Sequence, residues 1–279
     1  MNRLIRANDN KNKPIIECDN PIVPHSYFNL VRLDRGQRYE YQLENHETVA
    51  VVLQGNCDIL VDGNRYEDVG SRKDIWSGKA DSVYAGTGDE VTIEARRDHT
   101  EIAIAGGTSE VHYDSFRIRP QAVELVEVGS GATKSHRRIF HILGHNGEGK
   151  AGNLLVSELY CEEGCWSGYP PHKHDEEKLP EESEFEETYH YRFDPDNGFG
   201  GQFCYRDGKV AEGYLTRSGD TFCFSKGYHP TVTSPGHSEY IFTILVGINQ
   251  RSLVQNFEEK YRYMMDRIPG IDTMIDKFK

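Results

Sequence analysis

Two histidines separated by one residue begin the stretch of this chain whose residue types could bind a metal ion. His172 and His174 follow a Pro-Pro pair. Glu187 comes later, on a run of alternating aromatic residues, and His229 lies in a Gly-Tyr-His-Pro turn. Three neutral imidazoles and one carboxylate suit zinc, and also iron, manganese, cobalt or nickel. A lone histidine is more often a surface or core residue, so it is the combination of the four that predicts a divalent metal site.

Strand alternation sorts the neighbours of these residues. Successive side chains of a strand point to opposite faces, so His172 and His174 should point the same way. By the same rule Tyr189 and Tyr191 share the face of Glu187. The acidic segment 175–186 is typical of a solvated loop, from which Glu182 is the carboxylate best placed to reach the site.

The composition excludes several classes of partner. The 279 residues carry a formal net charge of -13, whereas nucleic acids and anionic membranes require a basic surface. No apolar run approaches the roughly 20 residues of a membrane helix, and the N-terminus lacks the apolar core of a secretory signal. Six cysteines are too few for a disulfide scaffold at this length. We therefore expect a cytoplasmic protein with reduced thiols that binds neither nucleic acid nor membrane.

The rest of the chain is patterned as short strands. Runs of valine, isoleucine, threonine and aromatic residues alternate with Gly, Asp and Asn turns, which is typical of a β-barrel or sandwich. Val91, Ile93 and Ala95 alternate with polar residues, so one face of that strand should be buried. The second half repeats the coarse plan of the first, which indicates an internal duplication.

The C-terminal tail has a different pattern. Its apolar residues recur at helical spacing from Phe257 to Ile268 and stop before Pro269-Gly270. We therefore predict three units along the chain: an N-terminal barrel at 1–140, a C-terminal metal-binding barrel at 141–250 and a helical tail at 251–279.

The motifs of the second half closely resemble one known family. They are PPHKHD, LPEES, EETYHYRF, NGFGGQFCYRDG and GYHP. The resemblance is to the bicupin family that unites the 5-deoxy-glucuronate isomerases of inositol catabolism with the 4-deoxy-L-threo-5-hexosulose-uronate ketol-isomerases of pectin breakdown. It covers residues 150–247, and the first half matches more loosely through the segment 71–78. The long insertion before Glu187 resembles the inositol members, whereas the stretch after Gly247 departs from the family's usual ending.

The resemblance implies a fold and a set of metal ligands. The fold would be all-β, a bicupin of two double-stranded β-helix (jelly-roll) barrels with a short C-terminal helix. The ligands would be His172, His174, Glu187 and His229, all in the second barrel, and the first barrel would hold no metal. Zinc is the first expectation for the cofactor, with Mn²⁺, Fe²⁺, Co²⁺ or Ni²⁺ also suited.

The implied reaction is an aldose–ketose isomerisation of 5-deoxy-D-glucuronate to 5-dehydro-2-deoxy-D-gluconate. By position, the candidates for proton transfer are Tyr189, Tyr191 and Glu182. A sugar acid also needs a cation to hold its carboxylate, and the candidates are Lys173, Lys226 and Arg192. We expect a homo-oligomer, a dimer or higher.

Three alternatives stay open at this point. The chain could isomerise another deoxy-uronate, such as the pectin-derived hexosulose-uronate. It could be an iron-dependent cupin dioxygenase, because three histidines and one glutamate also bind iron. It could also be a sugar-binding cupin without catalytic activity.

Overall fold

Strands provide most of the regular structure in the computed structural model, which describes residues 3–277. The first ten are β1 (Leu4–Ile5), β2 (Ser26–Leu33), β3 (Arg38–Gln42), β4 (His46–Gln54), β5 (Cys57–Val61), β6 (Asn64–Val69), β7 (Asp81–Ala85), β8 (Glu90–Ala95), β9 (Thr100–Thr108) and β10 (Phe116–Ile118). The next twelve are β11 (Glu124–Val128), β12 (Arg137–Leu143), β13 (Leu154–Cys161), β14 (Trp166–Ser167), β15 (His172–Lys173), β16 (Phe185–Asp194), β17 (Phe199–Cys204), β18 (Glu212–Arg217), β19 (Thr221–Phe224), β20 (Thr231–Thr233), β21 (Ser238–Gly247) and β22 (Asn256–Phe257). Helical structure in the described residues consists of 3-10 helices at Pro120–Ala122, His145–Gly147 and Glu259–Arg267, and of one α-helix, α1 (Ile271–Lys277).

The first barrel is made of two antiparallel sheets that pack face to face. A five-stranded sheet has the order β10-β7-β4-β9-β2, and a four-stranded sheet has the order β3-β8-β5-β6. The predicted alternation on β8 is confirmed, because Val91, Ile93 and Ala95 are buried while their neighbours are more exposed. Two sheets that bury their alternate residues between them give the double-layered barrel expected from the sequence.

The second barrel has a larger main sheet, and this sheet positions the candidate site. Its seven strands follow the order β1-β19-β16-β21-β13-β12-β11, opposite a four-stranded sheet with the order β14-β20-β17-β18. A separate two-stranded ladder joins β15 to β22. The prediction of an all-β fold built from two barrels is confirmed.

Strand pairing joins two strands before residue 143 to the main sheet of the second barrel. β11 and β12 pair antiparallel with one another, and β12 pairs with β13 of the second barrel. β1, from the N-terminus, pairs with β19 of the same sheet. The local pattern of a strand does not show which sheet it joins, so the predicted boundary at residue 140 could not take this pairing into account. We propose a boundary near residue 120, with β1 completing the edge of the second barrel.

The two barrels share an apolar core that is supplemented by buried polar contacts. Phe28 of β2 stacks on Phe242 of β21, with ring centroids 5.9 Å apart. The carboxylate of Glu47 on β4 accepts hydrogen bonds from the main-chain N–H groups of Gly152 and Leu154, at 2.6 and 2.8 Å. The barrels are therefore joined by contacts that are largely removed from water.

The tail is helical, as predicted, but it begins as a strand. β22 comes before the 3-10 helix at Glu259–Arg267. The sequence pattern predicted that helical structure would end before Pro269-Gly270, but α1 follows this pair. Ile271 and Met274 of α1 are buried against the second barrel. Within residues 3–277, no helix has the length and apolarity that crossing a membrane would need.

Candidate metal centre

The four predicted metal ligands come from three separate segments of the second barrel. His172 is on β15, and His174 follows the end of that strand. Glu187 lies on β16, between Phe224 of β19 and Leu245 of β21 in the register of the sheet. His229 lies in the turn that connects β19 to β20. The turn and the short ladder thus meet over the face of β16 that carries Glu187.

The side chains of these residues converge on one point. The ligand nitrogens of His172, His174 and His229 lie within 4.8 Å of one another. Nε2 of His174 and Nε2 of His229 each lie 3.1 Å from Oε2 of Glu187. All four residues are buried, with at most 5% of their surface exposed. A cluster of four buried ligand atoms is the arrangement that a protein-bound divalent cation requires.

Each imidazole is oriented by its other ring nitrogen. A carbonyl oxygen can only accept, so Nδ1 carries the proton in each ring and donates it to the main chain. The pairs are His172 to Pro170 O at 3.2 Å, His174 to Phe185 O at 3.2 Å, and His229 to Gly227 O at 2.9 Å. Nε2 is therefore the nitrogen that each ring directs toward the centre. Nε2 of His229 makes no hydrogen bond within residues 3–277, which fits a ligand atom for a cation.

The protonation states also fit a metal site. Burial raises the pKa of Glu187, but the adjacent imidazoles of His174 and His229 outweigh it, so the pKa falls well below its usual range. Burial together with the other two imidazoles lowers the pKa of His172. Burial also lowers the pKa of His174, but Glu187 more than offsets this and the pKa rises. Glu187 is thus held as a carboxylate and His172 as a neutral ring, the forms that bind metal.

A cavity of about 40 Å³ is lined by two of the four residues, His172 and Glu187. Its walls follow the inward rows of the main sheet: Tyr189 of β16 lies in register with Thr243 of β21, which is in register with Ser157 of β13. Apolar side chains complete the walls, among them Ile139, Leu159, Leu245 and Leu253. The cavity therefore offers a polar row beside the metal ligands and apolar surfaces elsewhere.

The structure separates the predicted proton-transfer residues. Tyr189 lines the cavity, with its ring centroid 6.5 Å from that of His229. Tyr191 is fully buried and donates its hydroxyl proton to Gln202 Oε1 at 2.8 Å. Gln202 in turn donates to the carbonyl of His229 at 3.0 Å. Tyr191 is therefore placed to support the turn that carries His229, and Tyr189 is placed to contact a substrate.

Glu182 lies outside the cavity walls and is surrounded by donors. It accepts from Nζ of Lys173 at 2.7 Å, from the N–H of Asp175 at 2.6 Å and from Nδ2 of Asn256 at 3.0 Å. These bonds tie together the acidic loop, the His-x-His segment and the tail. The structure thus places the Glu182 carboxylate among these donors, and its role in proton transfer stays a prediction.

None of the predicted substrate cations lines the cavity. Lys173 is held by Glu182, as described above. Arg192 points to the other side of the main sheet, where it meets Glu101 of the first barrel at 2.7 Å. Lys226 is exposed beside a different groove, with Arg206 as a neighbour. The structure thus places all three side chains outside the cavity walls, since strand alternation and pairing direct them elsewhere.

Sequence reasoning missed two residues of the cavity. Arg137 of β12 is 1% exposed and lines the cavity together with Gln255 of the tail. Nε2 of Gln255 lies 3.0 Å from Nε2 of His172. Arg137 could have been noticed, because it alternates with Ile139 on the apolar face of its strand. No pattern in the sequence connects Gln255 to a strand more than eighty residues earlier.

Comparison with known proteins identifies the family. The sequence matches the KduI/IolB family over residues 3–264. The chain belongs to the KduI/IolB family. Over 222 residues, 79% of each chain, it is 35% identical to the 5-deoxy-glucuronate isomerase of Geobacillus kaustophilus (strain HTA426). The expected family resemblance and the expectation of an isomerase are both confirmed.

Solved structures agree with this membership of the KduI/IolB family. The crystal structure of an IolB-like protein from Salmonella typhimurium LT2 matches with a TM-score of 0.87 and 26% identity, over 95% of this chain and 100% of the other. Oxalate decarboxylase from Bacillus subtilis matches with a TM-score of 0.61 and 12% identity, over 94% of this chain and 79% of the other. The second likeness concerns the cupin-type fold alone.

Proposed function

We propose that this chain is a metal-dependent aldose–ketose isomerase that converts 5-deoxy-D-glucuronate to 5-dehydro-2-deoxy-D-gluconate in inositol catabolism. The observation that carries the proposal is the convergence of His172, His174, Glu187 and His229 beside a cavity, in a chain whose relatives are 5-deoxy-glucuronate isomerases. The reaction needs no oxidant or reductant. A hydrogen moves from C2 to C1 and a hydroxyl proton moves to the former carbonyl oxygen.

The proposed chemistry divides between the cation and the protein. A divalent cation held by the four ligands would supply a Lewis acid that stabilises negative charge on the substrate oxygens. Tyr189 offers a phenolic proton at the cavity wall, next to Glu187, and is our candidate for protonating oxygen. The apolar walls at Leu159, Leu245 and Leu253 exclude water from the reacting carbons.

Several finer expectations belong to the same proposal. Zinc is the first expectation for the metal, with manganese, iron, cobalt and nickel as the other candidates, and metal analysis of purified protein would identify it. We also propose a cytoplasmic homo-oligomer, whose order light scattering would measure.

A substrate panel followed by NMR tests the proposal. Metal-loaded protein is given 5-deoxy-D-glucuronate, the pectin-derived hexosulose-uronate or D-glucuronate, and the aldehyde and ketone signals are followed over time. We expect conversion of 5-deoxy-D-glucuronate, loss of that conversion on chelation, and no uptake of oxygen. Preferred conversion of the hexosulose-uronate would reassign the substrate, and oxygen uptake with ferrous iron would favour a dioxygenase.

A further inference from the structure

Arg137 is a buried cation without an acidic partner. Its side chain is among the largest fully buried ones in the described chain, and no carboxylate of residues 3–277 forms an ion pair with it. Its hydrogen bonds go to neutral acceptors, the main-chain oxygens of Ser135 and Tyr169, each at 3.0 Å, with the sulfur of Met274 at 3.8 Å. Burial lowers the pKa of Arg137 to about 10, so the guanidinium remains charged at neutral pH. Buried charges are normally paired, so this one is expected to have a ligand.

The position of Arg137 relative to the metal ligands suits a small molecule with two functional ends. Arg137 lies on β12 and Glu187 on β16, and both line the same cavity. Two strands, β13 and β21, separate β12 from β16, which amounts to roughly 14 Å of sheet at the usual strand spacing. The cavity is therefore flanked by the guanidinium on β12 and by the carboxylate of Glu187 on β16.

We propose that Arg137 binds the carboxylate of the sugar-acid substrate, while the opposite end of that substrate lies at the His172–His174–Glu187–His229 cluster. This inference rests on the proposed function, which it deepens by naming the residue that selects an acid over a neutral sugar. A planar guanidinium matches a carboxylate with two parallel N–H···O bonds.

The other polar groups of the cavity favour a single carboxylate as the occupant. Among the described residues that line the cavity, Arg137 is the one charged residue besides the candidate metal ligands. Ser157 and Thr243 supply hydroxyl groups that suit the hydroxyl groups of a sugar. A single cation balances one negative charge, whereas a phosphate would leave further charge buried and unpaired.

Two variants and two substrates test the proposal. Arg137→Met removes the buried guanidinium. Arg138→Met is the matched control, because the side chain of Arg138 is exposed and lies over the ring of Tyr160. The substrates are 5-deoxy-D-glucuronate and 5-deoxy-D-xylo-hexose, which carries a hydroxymethyl group in place of the carboxylate. We expect Arg137→Met to lower kcat/KM for the acid roughly 100-fold, mainly through KM, and to leave the neutral sugar unchanged.

The ratio of kcat/KM for the acid to kcat/KM for the neutral sugar separates binding of the carboxylate from a merely structural role of Arg137. If Arg137 only holds the carbonyls of Ser135 and Tyr169, activity on both substrates should fall by the same factor, and that result would overturn the proposal. Arg137→Lys keeps a charge but loses the bidentate geometry, so we expect an intermediate preference for the acid.

A binding measurement on the unaltered protein covers the cases in which the variant does not fold or no substrate is converted. D-glucarate, an unreactive diacid, should raise the thermal unfolding temperature, and D-glucitol, its neutral counterpart, should not. Equal effects of the two compounds would refute the role of Arg137 whatever the catalytic activity. If no uronate in the panel is isomerised but D-glucarate protects the wild type more strongly than Arg137→Lys, then the proposed function fails while the carboxylate site stands.

Discussion

Replacing Arg72 by methionine is expected to lower the free energy of unfolding by about 3–5 kcal/mol, because it leaves a buried carboxylate without its partner. Arg72 precedes β7 in the first barrel, and Glu158 lies on β13 in the second. Their side chains are 2% and 1% exposed and meet through two hydrogen bonds, of 2.6 and 2.9 Å. The pair therefore spans the junction of the two barrels.

The size of the effect follows from what surrounds the pair. Burial lowers the pKa of Arg72, but the Glu158 carboxylate more than offsets this, so the pKa rises. Arg72 also donates to the main-chain oxygens of Val52 and Gly78, at 3.2 Å each, and Tyr240 donates its hydroxyl proton to Glu158 at 2.9 Å. After the substitution only Tyr240 would remain as a side-chain donor to the carboxylate. An exposed pair offers a control: Arg38 and Glu94 are 62% and 36% exposed, and Arg38→Met should cost less than about 1 kcal/mol.

Urea unfolding followed by fluorescence measures both variants. The chain has two tryptophans, Trp76 near Arg72 at the barrel junction and Trp166 in the second barrel, so one signal reports on both parts of the molecule. The double variant, with methionine at Arg72 and at Glu158, should recover part of the lost stability, because replacing both partners of a buried pair is often nearly neutral. A loss below about 1 kcal/mol for Arg72→Met alone would refute the reasoning.

Three further predictions concern the second barrel. His174→Ala should lose bound metal while the circular dichroism spectrum stays unchanged, which metal analysis of the folded variant would check. Glu182→Gln should weaken metal binding about 10–100-fold, because it loosens the contacts to Lys173 and the His-x-His segment, and kcat at saturating metal should stay near the wild-type value. A large fall in that kcat would instead support a catalytic role for Glu182. Burial raises the pKa of Glu239 from 4.5 to about 7, despite a hydrogen bond from Thr233, so stability should fall by up to about 3 kcal/mol as the pH rises from 4.5 through 7. Glu239→Gln cannot ionise, so its unfolding free energies at pH 5 and pH 8 should differ less than those of the wild type.

The fold and the ligand set were accessible from sequence because both depend on local rules. Alternation along a strand identified the buried faces, as on β8, and it also placed Tyr189 on the face of Glu187. Residue type then singled out three histidines and a glutamate as metal ligands, and the structure brings their side chains together. Neither step required knowledge of which strands are neighbours in space.

The partners of charged residues could not be predicted from such local rules. Lys173, Arg192 and Lys226 were candidates for the substrate carboxylate because each lies near a ligand in sequence. In the structure, Lys173 forms an ion pair with Glu182, and Arg192 forms one with Glu101. Such pairs depend on strand order and on the packing of one barrel on the other. The cation that does line the cavity, Arg137, comes from β12, which begins within the range 1–140 that the sequence assigned to the first barrel.

The tail shows that packing between distant segments also determines the structure of the candidate site. β22 pairs with β15, so the strand that begins with His172 has the tail as its partner in the ladder. Phe257 packs on the ring of His172 at 5.3 Å between centroids, and Gln255 reaches the same imidazole. Leu253 and Met274 add to the cavity wall. The stretch after Gly247 thus forms one side of the candidate metal centre. Substitutions at Leu253, Gln255 or Met274 are therefore expected to change the shape of the cavity directly.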